Sequence, residues 1–135
     1  MRSIIVPVDG SPQSIQALRY AISLAKAFGD ELVLLSVHSS SQILGEKMLQ
    51  EAVSIAGQEP VPYRTRVRVG GNPTIEINFE ANDPNVRCFV MGLRGSGSDG
   101  APDKTLGSVS QGLLQLATRP ITFVPYTRVR QLLGK

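Results

Sequence analysis

The sequence predicts an α/β domain, a single doubly wound sheet of five parallel strands with helices on both faces. Two observations carry that expectation. Short apolar runs rich in β-branched residues alternate with helical patterns from one end of the chain to the other. The segments between successive runs are long enough for the right-handed crossovers that parallel pairing requires. At 135 residues there is room for one domain, and a chain of that size buries roughly two-thirds of its unfolded surface in a single core.

The first run, residues 3–8, is nearly continuous in apolar side chains, as in a strand covered on both faces. Asp9-Gly10 breaks it. Ser11 is placed to cap a helix with Pro12 in its first turn, in which Ile15, Leu18, Ile22 and Ala25 form an apolar stripe that Gly29 closes. Residues 31–37 read as a second buried strand. A weaker helical pattern spans 42–56, with Leu44, Met48, Ala52 and Ile55 on its apolar side, and stops at Gly57. Pro60 and Pro62 then hold the chain extended. Residues 63–69 alternate strictly, Arg64, Arg66 and Arg68 against Thr65, Val67 and Val69. A strand with that many arginines belongs at a sheet edge.

Residues 74–81 carry a period of two, in Ile75, Ile77, Phe79 and Ala81, that suits a strand. Asn72-Pro73 reads instead as a helix cap followed by a first-turn proline. The alternating βα order also needs a crossover there, so a helix is expected. Residues 88–91 form a short buried strand, followed by a Gly-, Ser- and Asp-rich loop over 92–106. Ser108 and Gln111 have capping-box spacing for a helix with Val109, Leu113 and Leu116 on one face. Gly112 inside that helix costs about 1 kcal/mol relative to Ala, which implies close packing against a neighbour. Residues 120–125 supply the last strand. The domain is thus expected over 1–125, with a short basic tail over 126–135.

Hydrophobic residues make up 41% of the chain and charged residues 19%, the balance of an ordinary globular protein. The opening apolar run is short and broken by Pro7, so neither a signal peptide nor a membrane span is expected. A lone cysteine, Cys88, fits a reducing compartment, read as the cytoplasm. The net charge of +3 is mild. Arginines cluster at 64, 66 and 68 and again at 128 and 130, but aromatic side chains that stack on bases are scarce and no nucleic-acid motif accompanies them. No specific nucleic-acid partner is expected.

Chemistry concentrates after the fourth strand. A loop of this length in a small domain is usually functional, and it leaves the carboxyl end of a central strand, where doubly wound sheets bind ligands. Gly92 and Gly95 let the backbone approach closely, and Gly107-Ser108 opens the next helix, so their N–H groups can converge on an anion. Ser108 and Ser110 add hydroxyl donors. The alternative is a plain connector to a normally capped helix. Residues 95–100 spell Gly-Ser-Gly-Ser-Asp-Gly, matching a dinucleotide fingerprint, but the last glycine runs into Ala101-Pro102 rather than an apolar helix, so that reading fails.

Asp9 stands at the carboxyl end of the first strand, where a carboxylate accepts from ribose hydroxyls, helps hold a divalent ion, or simply shapes the Asp-Gly turn. His38 has no neighbouring Cys or second His and reads as a loop histidine rather than a metal ligand. Cys88 in its apolar strand reads as a buried thiol. There is no G-x-S-x-G elbow and only one histidine to act as a base. Binding is favoured over turnover.

Taken together, Ile4-Ile5-Val6-Pro7-Val8-Asp9-Gly10-Ser11, Gly71-Asn72-Pro73, Val90-Met91-Gly92 and Gly107-Ser108-Val109-Ser110 resemble the universal stress protein family, over nearly the whole chain to about Pro125. The resemblance implies a fold of the adenine nucleotide alpha hydrolase-like type and a nucleotide-binding branch with an altered phosphate loop. In that branch a G-x-x-G pair is followed after nine residues by G-S or G-T. Matching positions imply that Gly92, Gly95, Gly107 and Ser108, with Val109 and Ser110 beside them, meet the phosphates. They also imply that Asp9 meets the ribose and that Val8 and Val37 line an adenine pocket. Here eleven residues separate Gly95 from Gly107, among them Asp99 and Asp103, which repel a triphosphate; Lys104 and Arg94 offset them. The resemblance implies ATP or AMP as ligand, with Mg²⁺ as a companion of the phosphates. It further implies a homodimer through residues 121–126, where Ile121, Phe123 and Tyr126 lie on an otherwise open edge. Three readings follow: an adenine-nucleotide-binding stress regulator; alternatively, a dimeric interaction protein of the same fold that no longer binds nucleotide; and, as the most chemistry the resemblance leaves room for, a slow ATP hydrolase or phosphotransferase, for which no water-positioning group stands out.

Overall fold

The computed structural model describes residues 1–94 and 106–126. Ten elements follow in order: β1 (Ser3–Pro7), α1 (Pro12–Phe28), β2 (Glu31–His38), α2 (Gln42–Met48), α3 (Gln50–Ala56), β3 (Tyr63–Val69), α4 (Pro73–Glu80), β4 (Val86–Gly92), α5 (Ser108–Leu116) and β5 (Ile121–Val124). The strands form one parallel sheet in the order β3-β2-β1-β4-β5. From β1 the chain steps outward to β2 and β3, then crosses back to β4 and steps outward the other way. The strand order therefore reverses between β1 and β4, and the crevice at that point is where such sheets take their ligands.

Period-two alternation sends successive side chains to opposite faces and builds two cores. Ile4, Val6, Leu32, Leu34, Cys88 and Val90 pack with Ile15, Leu18, Ala21, Ile22 and Ala25 of α1 and with Ala52 and Ala56 of α3. Ile5, Val33, Leu35, Phe89 and Met91 face the other way, onto Ile77 of α4 and Leu113 of α5. Because both faces are covered, the inner strands read as continuous apolar runs rather than as alternation.

Local signals set the helix ends. Ser11 caps α1 by accepting the Ser14 N–H at 3.2 Å, Pro12 occupies the first turn, and Gly29 ends the helix in the left-handed region. Asn72 caps α4 through Ile75 N–H at 3.3 Å, so 73–80 is a helix despite its period of two. Gly112 of α5 meets Thr74 of α4, where an added Cβ would lie 2.7 Å from Oγ1.

Two expectations need correction. The single helix over 42–56 is two, broken at buried Leu49, whose N–H bonds back to Glu46 O at 3.1 Å. The break lets α2 lie on β2 and β3 while α3 turns toward α1. The capping box at Ser108 and Gln111 is absent: Gly107 is the cap, with no side-chain bond, and the helix begins at Ser108 itself.

The sheet's two edges differ. On β3 every arginine is answered: Arg64 by Glu31 at 3.3 Å, Arg66 by Glu80 at 3.1 Å, and Arg68 by Glu76 at 3.2 Å and Glu80 at 2.9 Å. Arg68 also lies over the Phe79 ring at 4.6 Å. The opposite edge, β5, carries Ile121, Thr122, Phe123 and Val124 and no charge. The basic tail with Arg128 and Arg130 lies outside the described residues beyond Tyr126. Among the described residues no helix is long and apolar enough to cross a membrane.

Candidate functional site

A cavity of about 330 Å³ opens at the carboxyl ends of β1, β2 and β4, over the point where the strand order reverses. Its walls come from the β1 exit (Pro7, Val8, Asp9), the end of β2 (Leu35, Val37), α2 (Met48), α4 (Pro73, Ile77), the β4 exit (Met91, Gly92, Arg94) and the start of α5 (Gly107, Ser108, Val109, Ser110). Eight site residues expected from sequence, Val8, Asp9, Val37, Gly92, Gly107, Ser108, Val109 and Ser110, therefore line one cavity. Gly95 lies outside the described residues, as do Asp99, Asp103, Lys104 and the fingerprint over 95–100.

Several constraints hold the walls in place. Val8 N–H donates to Leu35 O at 2.7 Å, extending β1 pairing by one residue before the chain turns. Asp9 Oδ1 then accepts the Ser11 N–H at 3.0 Å, and Gly10 follows at φ +83°, a left-handed conformation that glycine adopts without strain. Asp9 thus shapes the turn and faces the cavity at once. Gly92 lies close to the start of α1, where a Cβ would come within 3.3 Å of Gln13 Cβ and its carbonyl oxygen. Ser110 Oγ donates to Gly92 O at 3.1 Å, and Gly107 N–H donates to Leu93 O at 2.8 Å. These two bonds pin both ends of the intervening loop to each other.

The polar character of the cavity is asymmetric. Helices α1, α2 and α4 are capped by the side chains of Ser11, Ser41 and Asn72, whereas α5 has only Gly107. Its first-turn amides at Ser108, Val109 and Ser110 receive no side-chain acceptor from the cap, and all three residues line the cavity. Those amides and the positive end of the helix suit an anion. Across the cavity, Leu35 O faces β1, so by alternation the peptide groups of Val37 face the same way, beyond Pro7, the last β1 residue in the ladder. They present a donor and an acceptor beside apolar Val8, Met48 and Met91.

Sequence reasoning did not anticipate Ser14, Leu35, Met48, Pro73, Ile77 or Met91 as wall residues. Met48 and Ile77 sit on helices whose faces are set by packing, and only Met91, next to Gly92, carried a positional hint. His38 ends β2 outside the cavity, its carbonyl accepting from Gly70 N–H at 2.8 Å. Cys88 is buried, and burial pushes its thiol pKa up, opposed by the neighbouring Arg87. Among the described residues no three His, Cys, Asp or Glu side chains gather to hold a metal.

The universal stress protein family's sequence model matches residues 1–60. Universal stress protein YxiE of Bacillus subtilis is 31% identical over 146 residues, spanning 90% of this chain and 97% of that protein. The chain belongs to the universal stress protein family. Solved members share its architecture: one from Archaeoglobus fulgidus superposes with a TM-score of 0.78 at 22% identity, over 91% of this universal stress protein and 98% of that chain. A universal stress protein from the same organism in complex with dAMP gives a TM-score of 0.75 at 22% identity, over 91% and 97%.

Proposed function

We propose that this universal stress protein binds an adenine nucleotide, AMP or ATP, in the switch-point cavity and acts as a nucleotide-responsive regulator in the stress response, in the cytoplasm, rather than as an enzyme. The observation that carries the reading is the N-terminus of α5, which has no side-chain cap, opening on the cavity, with Asp9 at the mouth of β1 and the peptide groups of Val37 on the far wall. The first suits a phosphate, the second a ribose, and the third the hydrogen-bonding edge of a base set between Val8, Met48 and Met91. The volume, about 330 Å³, is within the range of small-molecule pockets. The complex of a related fold with dAMP supports the ligand class.

Mg²⁺ belongs to this reading only as a companion of the phosphates. A single carboxylate at Asp9 matches the habit of that ion, which takes one or two protein carboxylates and otherwise phosphate oxygens and water.

Titration calorimetry with AMP, ADP and ATP, with and without Mg²⁺, tests the proposal on nucleotide-free protein. Asp9→Asn keeps an oxygen for the Ser11 amide while removing the charge, and Gly107→Val puts a side chain at the phosphate end. Both variants should fold and lose at least tenfold in affinity, about 1.4 kcal/mol. Wild-type affinity in both sinks the site.

A second reading, a dimeric interaction protein that has lost nucleotide, keeps the apolar, uncharged β5 edge as its contact surface. Dimerisation through that edge belongs to both readings. A dimer by sedimentation, with no heat and no thermal stabilisation at millimolar nucleotide, would favour the second.

A further inference from the structure

We infer that His38 is a positioning residue for the α2 wall of the cavity, and that it holds this wall only while its imidazole is neutral. This deepens the nucleotide reading and rests on it for the functional half alone. His38 is the one histidine in the chain. Its Nδ1 accepts the backbone N–H of Ser40 at 3.1 Å and that of Ser41 at 3.0 Å. A ring nitrogen that accepts must carry its lone pair, so the ring proton sits on Nε2. Protonation turns Nδ1 into a donor facing two donors, and neither bond survives.

Those two amides lie at the entrance to α2. Ser41 is the cap of α2, its Oγ accepting the Leu44 N–H at 3.1 Å. The histidine therefore holds the residue that starts the helix. At seven residues α2 is too short to be stable by itself, so its place depends on its attachments. One other attachment is Ser36 Oγ, which donates to Gly45 O at 2.8 Å. Gly45 also passes so close to β3 that an added Cβ would lie 2.5 Å from Val67 Cγ1. With one end held by His38 and the middle by Ser36, α2 carries Met48 into the wall of the cavity that Val37, the residue before His38, also lines.

Charged side chains stand on the elements next to β2, and those of β3 are paired: Arg64 with Glu31 of β2, and Arg66 with Glu80. On α2, Glu46 and Lys47 are exposed, and Glu46 accepts from Gln42 Nε2 at 3.2 Å. On β3, Arg68 stands opposite Val37 and is answered by Glu76 and Glu80 of α4. The Glu76 carboxylate lies against Gly71, in the turn between β3 and α4. The two serine amides are the partners of the ring at Nδ1.

The test compares wild type with His38→Asn, whose Oδ1 can accept the same amides and does not titrate. Two quantities are measured at pH 8 and pH 5.5: hydrogen-exchange protection of residues 41–48 in the free protein, and AMP affinity by calorimetry. Wild type should lose protection in α2 on acidification and lose affinity roughly tenfold more than His38→Asn, the worth of one to two hydrogen bonds. The comparison cancels the titration of the phosphate itself near about pH 6. His38→Ala should show the unprotected α2 at both pH values. Equal pH responses of α2 protection in wild type and His38→Asn overturn the inference. Acid-dependent protection in wild type alone, with no AMP binding at either pH, leaves the latch standing and overturns the nucleotide reading.

Discussion

Ser110 Oγ and the carbonyl of Gly92 are joined by a buried 3.1 Å hydrogen bond that bridges 18 positions of sequence. It ties the first turn of α5 to the last residue of β4 and so sets the width of the cavity mouth. Ser110→Ala removes the donor and leaves a buried carbonyl without it, a loss of about 1–3 kcal/mol. Denaturant unfolding should show that loss, and AMP binding should weaken with it. Ser110→Thr, which keeps the hydroxyl, should restore much of the stability if the added methyl is accommodated.

Gly112 and Thr74 meet where α5 crosses α4, and the spacing leaves no room for a methyl group. Gly112→Ala gains helix propensity of about 1 kcal/mol but forces an overpacked contact costing about 1–3 kcal/mol, so a net destabilisation is expected. Thr74→Ala removes the two nearest atoms, Oγ1 and Cγ2. The double variant should therefore be more stable than the sum of the single changes, and a double-mutant cycle by urea unfolding measures the coupling.

Burial raises the Cys88 thiol pKa, which links stability to alkaline pH. The unfolded chain loses this proton first, at about pH 8.5, so above that value it binds fewer protons than the folded chain and stability falls as pH rises. The contribution is complete below the unfolded pKa and disappears as pH climbs through the folded one. Cys88→Ala should be less stable at pH 7, yet lose less between pH 8 and 10 than wild type. In the native protein the thiol should react with iodoacetamide far more slowly than in urea.

Arg87 reaches the buried carboxylate of Asp30 through both Nε and Nη2, while its guanidinium covers the Phe28 ring at 4.0 Å. The bond to Asp30 is the chief cause of the raised Arg87 pKa. The pair joins the end of α1 and the start of β2 to the start of β4. Arg87→Met leaves a buried carboxylate unanswered and should lower Tm more than the double change Asp30→Leu with Arg87→Met, which removes both charges. Thermal scans at pH 7 compare the two.

The fold was legible because its signals are local and agree. Ser11-Pro12, Asn72-Pro73 and Gly29 marked helix ends by the chemistry of their own side chains or by having none. The break at Leu49 had no such marker: it arises where α2 must follow β2 and β3 while α3 follows α1, a tertiary demand with no glycine or proline to announce it. The capping box failed for a related reason: Gly107, whose N–H is bonded to Leu93 O, takes the cap position, so Ser108 is the first residue of the helix. Glycines and Asp9 at strand ends pointed to the site through spacing. Met48, Ile77 and Leu35 did not, because an apolar side chain that lines a cavity has the same sequence pattern as one that fills a core.

The arginines of β3 are answered by carboxylates and β5 carries no charge, so the two edges of the sheet differ in what they offer a second copy. In the proposed dimer through β5, the arginine-bearing β3 of each molecule would stand at an outer end of the enlarged sheet. Edge pairing would then stop at two rather than run on as a filament.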